Sequence, residues 1–405
     1  MTGVMDGVRV LEVAAWTYVP AAGAVLAEWG ADVLKIEHPE SGDPQRGLVS
    51  SGLVPTGPGG VNHMIELPNR GKRSVGLDLK TEQGRDVLLK LAATSDVFLT
   101  NMRPGAIAAL RLDVDDLRQA NPDIIYARGT GQGVRGPEAA KGGFDGSHFW
   151  GRAVAGLFAT EGDAFPPGPP GAAWGDLQGG LTIAGGISAA LFHRERTGEP
   201  TVVDNSLLAC GMFASSATIL ASGLFGFDQM PAIRREAVPN PLVGYYRTGD
   251  GRFLMLMMLQ ADRWWPDLVA RLGAPDLAED PRFATAADRQ ANKLACIARL
   301  DEVFATKTLA EWREILADAE GVWAAVETPG ELLVDRQALA NGYIREVEHS
   351  SGSTFRMVPS PLQFDEQPAD LSRAPDHGEH TDEVLTELGI SEDELMQLKV
   401  DGAIL

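Results

Sequence analysis

The run Ala173-Trp174-Gly175-Asp176-Leu177-Gln178-Gly179-Gly180 sets one carboxylate among glycines at the start of a helix-like stretch. An aspartate at a loop-to-helix junction ordinarily serves as an N-cap. The glycines give it a second use. A bulky thioester can reach a carboxylate that no large side chain shields, and nearby backbone N–H groups can stabilise an oxyanion. A carboxylate is ionised at neutral pH but weakly nucleophilic, so it suits a reactive acyl donor, and a thioester is one. Asp176 is therefore the candidate nucleophile for acyl transfer.

Other chemistries fit less well. The seven histidines are scattered, and none has metal-ligand spacing. His148, beside Phe149 and Trp150, reads as a packed or capping histidine. There is no Gly-x-Ser-x-Gly elbow and no P-loop. The two cysteines, Cys210 and Cys296, give neither a disulfide framework nor a metal pair, which fits a reducing cytoplasm. The N-terminus lacks the basic and apolar regions of a secretory signal.

A formal net charge of -21 disfavours nonspecific binding to nucleic acid or anionic membranes. An anionic ligand then needs a local cationic pocket. Lys72 and Arg73 precede one expected strand and Lys80 follows it. Asn101 and Arg103 follow another, and Lys141 opens a glycine-rich segment. Lys80, Asn101 and Arg103 together make a candidate phosphate cradle at strand C-termini, where open α/β sheets bind ligands.

The elements that must position these groups alternate. Val8–Val13, Ala31–Ile36, Ser74–Leu77, Val97–Thr100 and Ile124–Ala127 read as strands. Pro20–Trp29 and Thr81–Thr94 read as helices, the second with Thr81 as its N-cap. Such alternation predicts an α/β, Rossmann-like parallel sheet. The glycine fingerprint for a dinucleotide is missing from the first turn, so Glu37 alone does not support NAD binding. Gly131–Gly175 is too rich in glycine and proline for long elements. Leu177–Glu195 reads as a helix whose four glycines imply close approach by another backbone or a ligand. The most apolar stretch, Leu207–Phe225, reads as a buried helix rather than a membrane span. Beyond it, a hairpin over Tyr245–Met258 and helices at Arg263–Leu272, Lys293–Ala305 and Leu309–Ala317 form a smaller domain. Ser391–Glu394 matches a capping box. The expected division is a large domain over 1–224, a small α+β domain over 225–325 and a C-terminal segment, 326–405, returning to the large domain.

In order and spacing these pieces resemble the class III CoA-transferases, the group of formyl-CoA and carnitine CoA-transferases and their α-methylacyl-CoA racemase relatives. The resemblance rests on Gly30–Glu37, Asn69–Ser74, Leu77–Lys80, Asn101–Gly105, Gly143–Asp145, Gly175-Asp176, His193–Gly198, Asp280–Phe283 and Gly378–Thr381. It implies that Asp176 attacks an acyl-CoA to give a mixed anhydride and then an aspartyl-CoA thioester. It implies CoA contacts at Thr17, Tyr18, His38, Leu77, Lys80, Asn101, Met102, Arg103, Lys141 and Asp145. It also implies an interlinked homodimer, with acyl-CoA and a carboxylic acid acceptor as substrates and no permanently bound cofactor or metal.

Three departures qualify the resemblance. The racemases place a histidine where this chain has Phe144, which has no group to exchange an α-proton. The glycine-rich loop of formyl-CoA enzymes is missing from Met255–Trp265. His38 stands where some members put an arginine against the adenosine phosphates. The expected function is transfer of CoA between carboxylic acids. A 2-methylacyl-CoA racemase and a noncatalytic CoA-binding relative are the competing readings.

Overall fold

The computed structural model describes residues 3–159, 165–229 and 234–405. The chain divides into two compact units, Met1–Met230 with Arg336–Leu405, and Pro231–Asp335.

The larger unit is built on six strands: β1 (Arg9–Val13), β2 (Asp32–Glu37), β3 (Arg73–Gly76), β4 (Val97–Thr100), β5 (Ile125–Thr130) and β6 (Val202–Ser206). They pair in the order β3-β2-β1-β4-β5-β6, all in parallel. This is the doubly wound order, whose direction switches between β1 and β4. Helices cover both faces, so the central strands are buried on both sides and mostly apolar, with Glu12 on β1 and Lys35 on β2 as buried charged exceptions. One face packs on the helices Tyr18–Glu28 and Trp174–Thr197. The other packs on Glu82–Ala93, Val114–Ala120, Thr381–Glu387 and Glu392–Val400. The last two helices show how residues after 336 rejoin the sheet. Leu77 bridges Ile404, and the Gly76 amide donates to Thr381 Oγ1 at 2.9 Å.

The edge strand β6 escaped sequence reading, because Val-Val-Asp-Asn-Ser is half-exposed and carries no apolar alternation. The expected caps form: Thr81 Oγ1 accepts from Gly84 N at 3.0 Å, and Ser391 with Glu394 closes a capping box.

The expected single buried helix at 207–225 does not form. Leu207–Ala214 and Ser216–Phe225 meet at a 66° bend around Ser215. Phe213 is 83% exposed and Phe225 77%. Apolar composition marks a segment that needs cover, but it does not specify that the cover comes from its own chain. Among the described residues no single helix is long and apolar enough to cross a membrane.

The smaller unit carries an antiparallel sheet of β7 (Val243–Arg247), β8 (Phe253–Met257) and β9 (Trp323–Ala325). Its core is closed by Trp312, fully buried, whose Nε1 donates to the Phe304 carbonyl at 2.8 Å.

Candidate acyl-transfer site

A cleft of about 780 Å³ opens at the C-terminal ends of β1 to β4. It is lined in part by Val13–Ala15, Ile36–His38, Gly42–Pro44, Leu77–Glu82, Asn101–Met102 and Leu110–Arg111. This is the crevice beside the switch point where doubly wound sheets take their ligands. Of the residues singled out from sequence, His38, Leu77, Lys80, Asn101 and Met102 line it; Thr17, Tyr18, Arg103, Lys141, Asp145 and Asp176 do not.

Charge beneath the cleft is tightly paired. Glu12, Lys35 and Lys72 are buried inside the sheet region. Lys72 Nζ donates to both Glu12 oxygens at 2.8 and 2.7 Å, and to the Pro20 carbonyl at 2.8 Å. Lys35 Nζ lies 2.9 Å from Asp43 Oδ2. Arg46 and Ser74 bond Glu37, which they hold, with Lys35, at about 2 against the cost of burial. Lys72 and Glu37 are therefore internal struts. Arg73 is likewise taken up, bridging Asp32 and Glu387.

Those struts fix the first strand-to-helix turn. Asp43 Oδ1 accepts the Trp16 amide at 3.2 Å. Asn101 both accepts from Ala15 N (3.1 Å) and donates to Ala15 O (2.6 Å). Trp16 sits at φ +68°, a conformation that a non-glycine residue keeps only when its surroundings enforce it. Thr17 is buried and donates to Gln45 at 2.9 Å. Asn101 is thus a clamp on the cleft's rim as well as part of its wall. Lys80 is an exposed cation at that wall; Arg103 packs beside Gly142, and Lys141 pairs with Glu138 at 3.1 Å. The three members of the expected cradle are therefore split, two in the cleft wall and one outside it. Sequence reading missed Asp43, Arg85 and Arg111 in the wall. Only Asp43 left a signal, as the Asp-Pro turn after Gly42.

Asp176 lies in the first turn of the helix Trp174–Thr197, so it does not act as that helix's N-cap. The cap position is Ala173, in the left-handed region at φ +60° with no capping side chain. Instead the Gly175 amide donates to Asp145 Oδ1 at 3.1 Å. Of the first-turn amides expected to be free for an oxyanion, that of Gly175 is therefore already engaged. Burial, with the Asp145 carboxylate second, pushes Asp176 up to about 7. Among the described residues, no cation pairs with Asp176 and no donor bonds its carboxylate.

The glycines of this helix have three different neighbours. A Cβ on Gly179 would strike the Tyr18 ring, one on Gly180 the Ala21 methyl at 2.6 Å, and one on Gly186 Val203 at 2.9 Å; Gly185 faces open space. Helix Tyr18–Glu28 is the backbone whose close approach the glycines permit. Tyr18 is thereby wedged behind Asp176, with its hydroxyl buried and unpartnered. Aromatic rings surround the junction: Trp16 meets Phe144 edge-on at 5.6 Å, and Trp174 meets Trp150 at 5.6 Å. His148 lies against Gly143 and shares a 2.8 Å hydrogen bond with Ser147.

A doubly wound sheet with a ligand-sized cleft at its switch point is the architecture of an α/β protein that binds a small-molecule ligand. The chain matches the family model for CoA-transferase family III over residues 5–381, and it belongs to that family. It is similar to the cinnamoyl-CoA:phenyllactate CoA-transferase of Clostridium sporogenes, at 32% identity over 100% of this chain and 98% of the relative. It is also similar to the (R)-2-hydroxy-4-methylpentanoate CoA-transferase of Clostridioides difficile, at 30% identity over 98% of each. The solved structure of a CAIB/BAIF family protein from Brucella suis superimposes with a TM-score of 0.79 at 28% identity, covering 96% of this chain and all of that one.

Proposed function

We propose that the protein transfers coenzyme A from an acyl-CoA to a carboxylic acid through covalent intermediates on Asp176. The observation that carries this reading is the Asp176 carboxylate itself, half-buried and without a cation or donor among the described residues. A structural aspartate in that setting would be neutralised by a partner; a nucleophile gains reactivity from lacking one. In the first step a carboxylate oxygen attacks the thioester carbonyl, the C–S bond breaks, and the CoA thiolate leaves a mixed anhydride. The thiolate then attacks the aspartyl carbonyl and expels the donor acid as its carboxylate. The acceptor carboxylate attacks the aspartyl-CoA carbonyl, the C–S bond breaks to leave a second mixed anhydride, and the released thiolate attacks the acceptor's acyl carbon, freeing Asp176 as its carboxylate. Each step exchanges one anion for another, so no proton moves and no histidine is required. Phe144 beside the site agrees with that economy.

The cleft at β1 to β4, walled by His38, Leu77, Lys80, Asn101 and Met102, is the proposed seat of the CoA nucleotide. The turn Ala14–Tyr18 joins it to the Phe144–Asp145 and Gly175–Asp176 segments. Phe144, 61% exposed, and Trp174, 41% exposed, favour an acid with an apolar or aromatic side chain. The acids named for the two relatives agree. The exposed apolar faces of Leu207–Ala214 and Ser216–Phe225 favour a homodimer, consistent with an interlinked pair of chains. Sedimentation at falling concentration checks this point, and a stable folded monomer would contradict it.

The deciding experiment incubates the protein with a panel of acyl-CoA thioesters and free acids and follows CoA exchange by mass spectrometry. Asp176→Ala is expected to lower exchange by more than about a thousandfold while CoA still binds. Near-normal turnover in that variant would end the mechanism. Incubation of a chiral 2-methylacyl-CoA in deuterated water is expected to leave its α-hydrogen unexchanged, because Phe144 cannot shuttle a proton.

A further inference from the structure

We infer that Asp145 is the positioning residue of the nucleophile: its carboxylate caps the helix Trp174–Thr197 from a remote segment and sets a second negative charge beside Asp176. The inference rests on the reading of Asp176 as the nucleophile.

The geometry leaves the helix no other start. It is 24 residues long, and its N-cap residue, Ala173, offers no side-chain acceptor. The first-turn amides of a helix need acceptors when they are buried, and its positive end attracts an anion. Asp145 meets both needs: it is buried and opens the wide helical segment Asp145–Val154. Phe149 of that same segment packs on Gly175. A Cβ at Gly175 would run into both the Phe149 ring and the Asp145 carboxylate. Only glycine lets the two grip this turn.

The cap carries a chemical consequence. Two neighbouring carboxylates repel, which raises the free energy of the Asp176 anion and makes it the more basic nucleophile. Acylation of Asp176 removes its charge. The repulsion therefore acts on the resting enzyme and vanishes in the anhydride and the aspartyl thioester. Asp145 thus favours the covalent states over the free one. The other titratable group that faces Asp176 is Tyr18, from the helix Tyr18–Glu28, which Cys210 of Leu207–Ala214 faces in turn. Burial pushes both upward, so both stay neutral near pH 7.

The resemblance to CoA-transferases implies a different role for this residue, contact with CoA, and the test separates the two. Asp145→Asn keeps an oxygen for the Gly175 amide and removes the charge. It is expected to leave CoA affinity within about threefold and to move the acid limb of kcat down by about one pH unit. It should also lower the fraction of chains carrying aspartyl-CoA at equilibrium with an acyl-CoA, read by intact mass, by about tenfold. Asp145→Ala, which also loses the cap, should lower the melting temperature where Asn does not. If Asn does not fold, Asp145→Ser supplies an uncharged acceptor for the same measurements. An unmoved acid limb and an unchanged adduct fraction, with CoA affinity weakened instead, would overturn the proposal in favour of a CoA contact. Full transfer by Asp176→Ala would instead defeat the underlying reading, whatever Asp145 does.

Discussion

The helices Glu82–Ala93 and Trp174–Thr197 pack on opposite faces of one sheet and begin in opposite ways. The first carries its own instructions. Thr81 caps it, Glu82 sits in the first turn, Lys90 in the last, and its apolar residues fall on one side. The second has an alanine in the left-handed region where a cap should be, and several glycines in its body. Its start is supplied by Asp145, thirty residues upstream, and its face by Tyr18. A helix that only supports the sheet can be coded locally. The helix that presents the unpaired Asp176 carboxylate, the proposed nucleophile, is assembled from distant parts, and local stability is given up where that carboxylate stands.

Four substitutions sharpen this contrast. Gly179→Ala drives a methyl into the Tyr18 ring and is expected to cost about 3 kcal/mol in thermal or urea unfolding, with loss of transfer. A neutral outcome would mean that the two helices do not pack as closely as described.

Asp176→Asn tests the trade between stability and function. The folded-state value of about 7 lies above the ordinary carboxylate value, so the folded chain holds an extra proton between about pH 4 and 7. Stability from this group is complete below about pH 4 and is lost as pH rises through 7. The Asn variant should thus be more stable than the parent at pH 8, by about 1–2 kcal/mol after allowance for solvent at a half-buried site, and equal to it near pH 4. Melting curves at the two pH values check it.

Thr81→Ala removes a local cap and should cost about 1 kcal/mol of stability with transfer unchanged. Gly185→Ala, in a helix body and facing open space, should raise stability by about 0.5–1 kcal/mol. Opposite signs for Gly179 and Gly185 would separate glycines kept for contact from one kept for nothing in the chain.

The same contrast explains what was legible in the sequence. Strands β1, β2 and β4 and the cap at Thr81 follow from apolar runs and near-neighbour spacing, and their observed limits fall within a residue or two of those expected. Asp176 stood out because its glycines are adjacent in sequence. Asp145 as a cap did not, since no local pattern joins residues thirty apart. Clamping of Ala15 by Asn101 and of Trp16 by Asp43 was hidden for the same reason. The Leu207–Phe225 stretch failed differently: hydropathy reports a need for cover without naming the surface that provides it.

The larger unit draws on both ends of the chain, with Pro231–Asp335 inserted between them. His380 donates its amide to the Ser74 carbonyl at 2.9 Å, across some three hundred residues of sequence. Contacts of that separation form late, because the intervening loop must first be closed. Synthesis from the N-terminus delivers the whole inserted unit before the residues around His380 and Thr381 that bond β3. An arrested chain ending near Asp335 presents an unfinished sheet edge, the species on which holding chaperones act.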